Sequence, residues 1–225
     1  MEPITHLAIV VPARNEGERL AACLESIAVA RRYFRGTVRT VVLLDSCTDD
    51  STHIVGSFDD VTAVHASFGK VGAARAAATR WALDALRSDP ATTWIATTDA
   101  DSTVPAQWLV EQVRLADAGA DVVLGAVEPM RSELSSAQQA AWDDTHPDGP
   151  ATGHVHGANL GVRASAYLAA GGFESLDEHE DVSLVAELRA RGARVETTAR
   201  MTVLTSGRSV GRTPSGYAGY LAALL

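Results

Sequence analysis

The chain has 225 residues, of which 46% are apolar and 21% charged, a composition typical of a globular protein and not of a disordered one. Its formal net charge of −9 argues against non-specific nucleic-acid binding, although a metal ion and backbone amides can still bind phosphate locally. The two cysteines, Cys23 and Cys47, exclude a disulfide framework and a zinc cluster and suit a reducing, cytoplasmic compartment. The N-terminus lacks a signal-peptide pattern, and the apolar runs predict no transmembrane segment, so any contact with a membrane would be peripheral.

Short apolar runs alternate with helical patterns through the first part of the chain. We expect strands at 7–11, 38–44, 61–65, 94–98 and 121–126, with helices near 15–28, 49–58, 69–86 and 105–118. This alternation predicts an α/β fold, a doubly wound and mostly parallel sheet with helices on both faces.

The alternation stops near Glu128, which predicts a single domain over 1–225 made of two halves, 1–127 and 128–225. Residues 130–153 are polar and predict a mobile excursion of the kind that often forms a lid. Beyond them we expect an extended segment at 154–162, helices at 165–170 and 177–192, and two strands at 195–198 and 202–205.

The segment Asp99-Ala100-Asp101 follows a buried strand and carries two carboxylates two residues apart. In an extended backbone such side chains point to the same side, and their mutual repulsion needs compensation. A divalent cation with phosphate as a further ligand would compensate it, whereas the alternative is an ordinary solvated turn with a helix N-cap. Three other polar clusters follow predicted strands, at 12–16, 45–49 and before Lys70. Because ligands of open parallel sheets bind beyond the carboxyl ends of the strands, these clusters predict one binding edge.

Five motifs occur in order, none of them specific alone. They are VVPARNE at 10–16, DSCTDDST at 45–52, GKVGAAR at 69–75, DAD at 99–101 and EDVSL at 180–184. Together, over residues 7–204, the chain resembles a family 2 inverting glycosyltransferase with the GT-A fold. The resemblance implies metal-dependent transfer of a hexose from a nucleoside-diphosphate sugar, with UDP favoured, to a hydroxyl acceptor with inversion.

The resemblance also implies a set of residues that bind the nucleotide sugar: Pro12, Ala13, Arg14, Glu16, Asp45, Lys70, Asp99, Ala100 and Asp101. Asp45 would contact the nucleobase, since a carboxylate accepts a hydrogen bond from the uracil imide. Mn²⁺ or Mg²⁺ would be bound directly by Asp101, with Asp99 contacting the metal through water or the ribose. His156 is a further candidate for a metal or sugar contact, and the alternative for it is a structural histidine.

By the same resemblance, Asp181 would be the base that removes the proton from the acceptor hydroxyl. The neighbouring Glu180 has a second interpretation, because Asp177-x-x-Glu180 is a capping-box pattern. Candidates for the acceptor side and for a closing loop are Trp142, Gly157, Asn159, Glu180, Arg208 and Arg212, with the two arginines clamping the diphosphate. Trp142 could equally be a core residue, and Arg75 is interpreted as solvent-facing.

Two other functions compete with this one. A nucleotidyltransferase would need a glycine-rich phosphate loop directly after the first strand, and here no glycine occurs between Pro12 and Gly17. The other alternative is a sugar-nucleotide-binding protein without catalysis. Asp99, Asp101 and Asp181, all present, argue against that alternative.

Overall fold

A computed structural model describes residues 2–211 and 216–223. In these residues seven strands form one sheet: His6–Ala13 (β1), Thr37–Asp45 (β2), Val61–Ala66 (β3), Thr93–Thr97 (β4), Val122–Pro129 (β5), Leu160–Arg163 (β6) and Val195–Thr205 (β7). The strand order is β3-β2-β1-β4-β6-β5-β7. Strand β6 runs antiparallel to β4 and β5, and the other pairs are parallel. The predicted α/β architecture with a mostly parallel sheet is confirmed.

Eight α-helices accompany the sheet in the described residues: Gly17–Arg31 (α1), Ser51–Gly56 (α2), Val71–Leu86 (α3), Trp108–Asp117 (α4), Ser136–Thr145 (α5), Ala164–Ala169 (α6), Glu180–Ala190 (α7) and Tyr217–Ala222 (α8). Helices α1, α2 and α4 pack in one core, and α3, α6 and α7 pack in a second. Successive strand residues point to opposite faces, so Ile9 enters the first core and Val10 the second. This burial on both faces explains the continuous apolar runs in the sequence. None of the helices in the described ranges is long and apolar enough to cross a membrane.

The stretch 130–153 differs from the expected polar excursion. It contains α5, whose N-terminus is closed by a capping box between Ser135 and Gln138. Trp142 of this helix is 2% exposed and packs with Leu134 and Leu221 in a small third core. Of the two alternatives for Trp142, the core position is confirmed. A single tryptophan on a polar helix gives little hydrophobic periodicity, so the sequence pattern did not predict the helix that carries it.

Two other expectations on local structure were wrong. The segment predicted as two strands is the continuous strand β7, with an irregular register against β5 between Gly125 and Val127. At α1, Asn15 does not begin the helix: its backbone has a φ of 51°, and its side-chain oxygen accepts a hydrogen bond from the Thr48 amide. The Asn15 side chain therefore contacts the loop after β2, and α1 begins at Gly17.

Candidate active site

The carboxyl ends of β1, β2 and β4 open into a cavity of about 810 Å³. Most of the residues predicted from the sequence line it: Pro12, Ala13, Arg14, Glu16, Asp45, Asp99, Ala100, Asp101, Trp142, His156, Gly157, Glu180, Asp181 and Arg208. They come from both sides of the change in pattern near Glu128. The residues that follow β1, β2 and β4 are brought together by the parallel topology of the sheet. Residues from α5, α7 and the segment after β7 line the remainder of the cavity.

Among the described residues, two that the sequence predicted, Lys70 and Asn159, are not part of this lining. Lys70 is exposed directly before α3, with its amine 3.9 Å from Asp177. Asn159 is fully buried and makes hydrogen bonds to Trp108 and to two backbone carbonyls, so the structure places its amide in the core and not against an acceptor. Arg212 lies outside the described residues.

Asp101 shares one guanidinium with Glu16. Arg208 Nη2 lies 2.8 Å from Asp101 Oδ2, and its two terminal nitrogens contact the Glu16 carboxylate at 3.1 Å. Both carboxylates are buried, Asp101 with 8% and Glu16 with 7% of its surface exposed. Burial raises the pKa of Asp101 to about 6, helped by the Asp99 carboxylate and opposed by Arg208. This part of the cavity therefore carries closely spaced carboxylates that attract a cation.

Asp99 pairs with a different arginine. Its Oδ1 accepts a 2.6 Å hydrogen bond from Arg75, which reaches it from α3. Arg75 is only 3% exposed, so the interpretation of this arginine as solvent-facing was wrong. Helical spacing could have indicated its burial, because the buried residues of α3 include Gly72, Thr79 and Ala82, which share its helix face.

Asp181 lies in the first turn of α7 and lines the cavity. Its Oδ2 accepts a 2.5 Å hydrogen bond from the Gly157 amide, and its Oδ1 accepts one from the Val182 amide at 2.8 Å. The positive end of the helix dipole adds to the stabilisation of a carboxylate at this position. Asp181 is thus held on a defined wall of the cavity.

The capping-box interpretation of Glu180 was wrong. Helix α7 begins at Glu180 itself, the preceding His179 is in the left-handed conformation with a φ of 64°, and no side chain caps the helix. Glu180 is 3% exposed and its Oε1 lies 2.6 Å from Arg75 Nε. The Glu180 side chain therefore forms a long-range ion pair with Arg75 and does not cap α7.

Asp45 connects two loops at the cavity edge. Its carboxylate accepts hydrogen bonds from the amides of Phe68 and Gly69, at 2.7 Å and 2.9 Å for the shortest contact of each. The Ser46 hydroxyl donates a longer bond to the same group. Asp45 thereby fixes the loop between β3 and α3, and it also lines the cavity where the first two strands end.

Aromatic side chains form the wall beside Asp181. Trp142 is stacked on His146 with 3.7 Å between ring centroids, and Tyr217 and Tyr220 pack around the same indole. The ring centroids of His156 and Tyr217 lie 6.0 Å apart. Burial lowers the pKa of His156, and the nearby Asp181 carboxylate opposes this effect. Trp142 therefore has a core role, although it also contributes to the cavity lining.

The acidic residues of this cavity fit a metal ion that is shared with a ligand. Within residues 2–211 and 216–223, no group of three or more His, Cys, Asp and Glu side chains could hold a metal ion. Small hard cations such as Mg²⁺ are commonly bound by one or two carboxylates together with phosphate oxygens. Asp101, with Asp99 nearby, provides such an incomplete set of oxygen donors, and the raised pKa of Asp101 reflects its burial and the crowding of negative charge.

The sequence model of one family, described as Glycosyl transferase family 2, matches residues 8–163. The comparison with curated proteins gave no match. Among solved structures, this chain is similar to S. aureus TarS 1–349 in complex with UDP-GlcNAc, with 14% identity and a TM-score of 0.66 over 95% of this chain and 62% of TarS. It is also similar to the Pyrobaculum calidifontis mannosyltransferase PcManGT in complex with GDP-Man and Mn²⁺, with 19% identity and a TM-score of 0.64 over 98% of this chain and 60% of that one.

A third similar structure is GalNAc-T7 with UDP, GalNAc and Mn²⁺, with 10% identity and a TM-score of 0.62, covering 91% of this chain and 44% of that one. The chain thus spans about three fifths or less of the length of these three proteins. At such identities the likeness shows the shared GT-A fold, and the family follows from the sequence match, which extends over more than half of the chain. The chain belongs to glycosyl transferase family 2.

Proposed function

We propose that the protein transfers a hexose from a nucleoside-diphosphate sugar to a hydroxyl acceptor, with inversion and with the help of a divalent cation. The observation that carries this proposal is the shared cavity that is lined by Asp101 on one side and by Asp181 on the other. The first side has the charge expected of a diphosphate and metal site. On the second side, the Asp181 carboxylate is fixed by two backbone amides and lies in the same lining as the aromatic residues.

The donor would lie across the ends of β1, β2 and β4. In this proposal Pro12, Ala13 and Arg14 flank the nucleoside, and Asp45 accepts a hydrogen bond from the base, for which UDP is favoured. The bonds that Asp45 already accepts from Phe68 and Gly69 orient its carboxylate for that contact. Lys70, exposed at the start of α3, would add positive charge near the nucleotide.

Asp101, with Asp99 as a weaker candidate, would hold Mn²⁺ or Mg²⁺ together with the diphosphate. When bound, the metal supplies Lewis-acid stabilisation of the negative charge on the leaving diphosphate. His156 is a further candidate contact to metal or sugar, although its burial among aromatic rings fits a structural role equally well. Arg208 and Arg212 would donate hydrogen bonds to phosphate oxygens.

Asp181 would act as the general base. Its carboxylate takes the proton of the acceptor hydroxyl while that oxygen forms a bond to the anomeric carbon of the sugar. The bond between the anomeric carbon and the diphosphate oxygen breaks, and the electron pair leaves with the nucleoside diphosphate. Because attack comes from the face opposite the leaving group, the product has inverted configuration.

The acceptor would enter along the wall that contains Trp142, Gly157 and Tyr217. Flat aromatic faces suit sugar rings, so a hydroxyl-bearing carbohydrate fits this wall. We further propose that residues 1–127 provide the donor half and residues 128–225 the acceptor half of one domain that works in the cytoplasm. Strand β5 crosses this boundary, and β6 and β7 add strands from the second half to the same sheet.

Calorimetric titration with UDP and with GDP, each with and without Mn²⁺, tests the donor site. We expect binding of at least one nucleotide that is strengthened by the metal, and the absence of any metal-dependent binding would contradict the proposal. The base is tested with Asp181→Asn, for which we expect unchanged nucleotide affinity and a turnover lower by about 10²–10⁴-fold. Equal turnover in the variant would remove Asp181 from the mechanism.

A further inference from the structure

Arg75 connects the two sides of the cavity through three separate contacts. Its Nε donates to Glu180 at 2.6 Å, its Nη2 donates to Asp99 at 2.6 Å, and its Nη1 donates to the Gly157 carbonyl at 2.9 Å. Asp99 follows β4 on the donor side, whereas Glu180 and Gly157 flank the proposed base. One side chain from α3 therefore binds three segments that are far apart in the sequence.

Because the Arg75 contacts are buried, the charges involved must compensate one another. The Arg75 and Glu180 side chains are each 4% exposed, so each charge depends on the other for compensation. Burial alone would lower the pKa of Arg75, but the Asp99 and Glu180 carboxylates raise it, and the guanidinium stays charged. A planar guanidinium presents its donors in a fixed fork, whereas a lysine amine is a single point charge on a flexible stem. The three contacts thus require arginine and not merely a positive charge.

The contacts of Arg75 lead directly to Asp181. The Gly157 carbonyl also accepts a 2.6 Å bond from the Thr97 hydroxyl, so this residue is bound from two directions. Its amide then donates the 2.5 Å bond to Asp181. A Cβ atom built on Gly157 would overlap the Arg75 guanidinium, which shows how closely the backbone packs on that group. Both Glu180, which precedes Asp181, and the amide that binds its carboxylate are thereby fixed by Arg75.

We propose that Arg75 is a positioning residue that sets the separation and orientation of the donor-side Asp99 and the base Asp181. The inference rests on the proposed function, because it assigns a catalytic consequence to contacts with the proposed base. Displacement of a reacting group by about 1 Å can reduce a rate by about 10²-fold, so loss of the guanidinium fork lowers turnover through Asp181. Arg75 lines the same cavity, and in this role it acts through Asp99 and Asp181 and not by a contact of its own with donor or acceptor.

A double-mutant cycle separates positioning from general stabilisation. The variants are Arg75→Lys, Asp181→Asn and the double variant. The measured rate is the release of UDP from UDP-GlcNAc or of GDP from GDP-mannose with saturating donor and Mn²⁺ and with water as acceptor. We expect Arg75→Lys to lower the rate about 10–100-fold, while the double variant is no slower than Asp181→Asn alone. The affinity for the nucleoside diphosphate should change by less than the rate.

The matched control is Arg163→Lys. Arg163 is also 3% exposed and donates to the backbone carbonyls of Ala91 and Ala116, but it does not line the cavity. Arg163→Lys should lower the melting temperature. It should leave the rate per folded molecule unchanged, both in the otherwise unaltered protein and in the Asp181→Asn variant. All rates are compared at a temperature at which circular dichroism shows every variant folded. If Arg75→Lys does not fold, Glu180→Gln replaces one charged partner of Arg75 by a neutral amide, weakens that contact, and should show the same non-additivity at smaller size.

Several results would overturn the inference. Effects of Arg75→Lys and Asp181→Asn that multiply, or an unchanged rate in Arg75→Lys, would leave Arg75 with a structural role only. If Asp181→Asn lowers the rate and the effects multiply, the inference alone fails. If Asp181→Asn retains the full rate, or the unaltered protein binds neither UDP nor GDP, the proposed function fails and the inference fails with it.

Discussion

The guanidinium of Arg208 lies 2.8 Å from Asp101, and it also contacts the Glu16 carboxylate at 3.1 Å. An arginine from the segment after β7 therefore supplies positive charge at the place where we propose the metal and the diphosphate. The two carboxylates come from the exits of β1 and β4, which the sheet places next to each other. The negative charge of Asp101 and Glu16 would be compensated either by Arg208 or by a bound cation.

Arg208→Gln should destabilise the protein in the absence of donor by about 1–3 kcal/mol, because two buried carboxylates lose their charged partner. Mn²⁺ should raise the melting temperature more in this variant than in the unaltered protein, since the cation replaces the missing charge. Urea unfolding and thermal denaturation with and without Mn²⁺ measure both effects. The control is Arg131→Gln, because Arg131 pairs with Asp143 on the exposed surface and its loss should destabilise the protein much less than the loss of Arg208. Equal responses of Arg208→Gln and the control would contradict the prediction.

Glu133→Gln should release the segment that carries Arg208. Glu133 Oε2 accepts hydrogen bonds from the Ser206 hydroxyl at 3.0 Å and from the Gly207 amide at 2.8 Å, and a neutral amide accepts these more weakly. We expect faster tryptic cleavage after Arg208 in the variant. A substitution in the exposed pair of Glu187 and Arg191, Glu187→Gln, should leave this cleavage unchanged.

The same contact predicts a pH dependence. Burial raises the pKa of Glu133, but the bonds from Gly207 and Ser206 together with the nearby Arg19 guanidinium outweigh it, so the pKa lies below the usual value. A lowered pKa means that the carboxylate contributes stability above the unfolded-state value of about 4.3 and loses it as the pH falls below that value. Hydrogen exchange at the Gly207 amide should stay protected from neutral pH down to about pH 5 and become unprotected at lower pH. Protection of the Gly207 amide that persists at acid pH, well below the lowered pKa of Glu133, would show that the charge of Glu133 does not hold the segment.

Gly157→Ala should lower both stability and turnover. The new Cβ would overlap atoms of the buried Arg75 guanidinium, so either the backbone or the arginine must move. Overpacking of this kind costs about 1–3 kcal/mol, and here it also displaces the amide that binds Asp181. Gly56→Ala is the control, because no atom lies within 4 Å of its added Cβ and alanine favours the helix. Urea unfolding and the rate of UDP or GDP release should separate the two variants, and similar behaviour of both would contradict the contact.

Asn159→Ala should destabilise the protein by roughly 2–4 kcal/mol, because it removes three hydrogen bonds to buried polar groups. The side-chain amide donates to the carbonyls of Ala126 and Met201 and accepts from the Trp108 indole. Urea unfolding gives the change in free energy. The control is Gln139→Ala on α5, which removes two hydrogen bonds from a partly exposed side chain to backbone carbonyls and should cost less than half as much. A loss as small as that of the control would contradict the core role of Asn159.

Local patterns in the sequence were sufficient for the parallel part of the sheet. The runs at 7–11 and 38–44 are largely apolar because β1 and β2 are covered on both faces, and this is visible in the residues themselves. The polar residues after each run then mark the binding edge, because parallel strands all end on the same side. The positions of Glu16, Asp45 and Asp101 at one cavity follow from this rule.

Other features were decided by partners that are distant in the chain. Glu180 and Asp177 have the spacing of a capping box, but the buried Arg75 binds Glu180 more favourably than a helix terminus does. The antiparallel insertion of β6 between β4 and β5 likewise depends on pairing between segments, which a four-residue strand does not reveal.

The sequence by itself thus determined the α/β class, the family and the edge of the sheet where the acidic residues lie, because periodicity and strand-end motifs are local properties. Only the tertiary structure decided the charge partners: Arg208 with Asp101 and Glu16, and Arg75 with Asp99 and Glu180. The physical reason is that a buried charge must find an opposite charge or hydrogen-bonding groups, and the chain topology, not the sequence spacing, determines which groups are within reach.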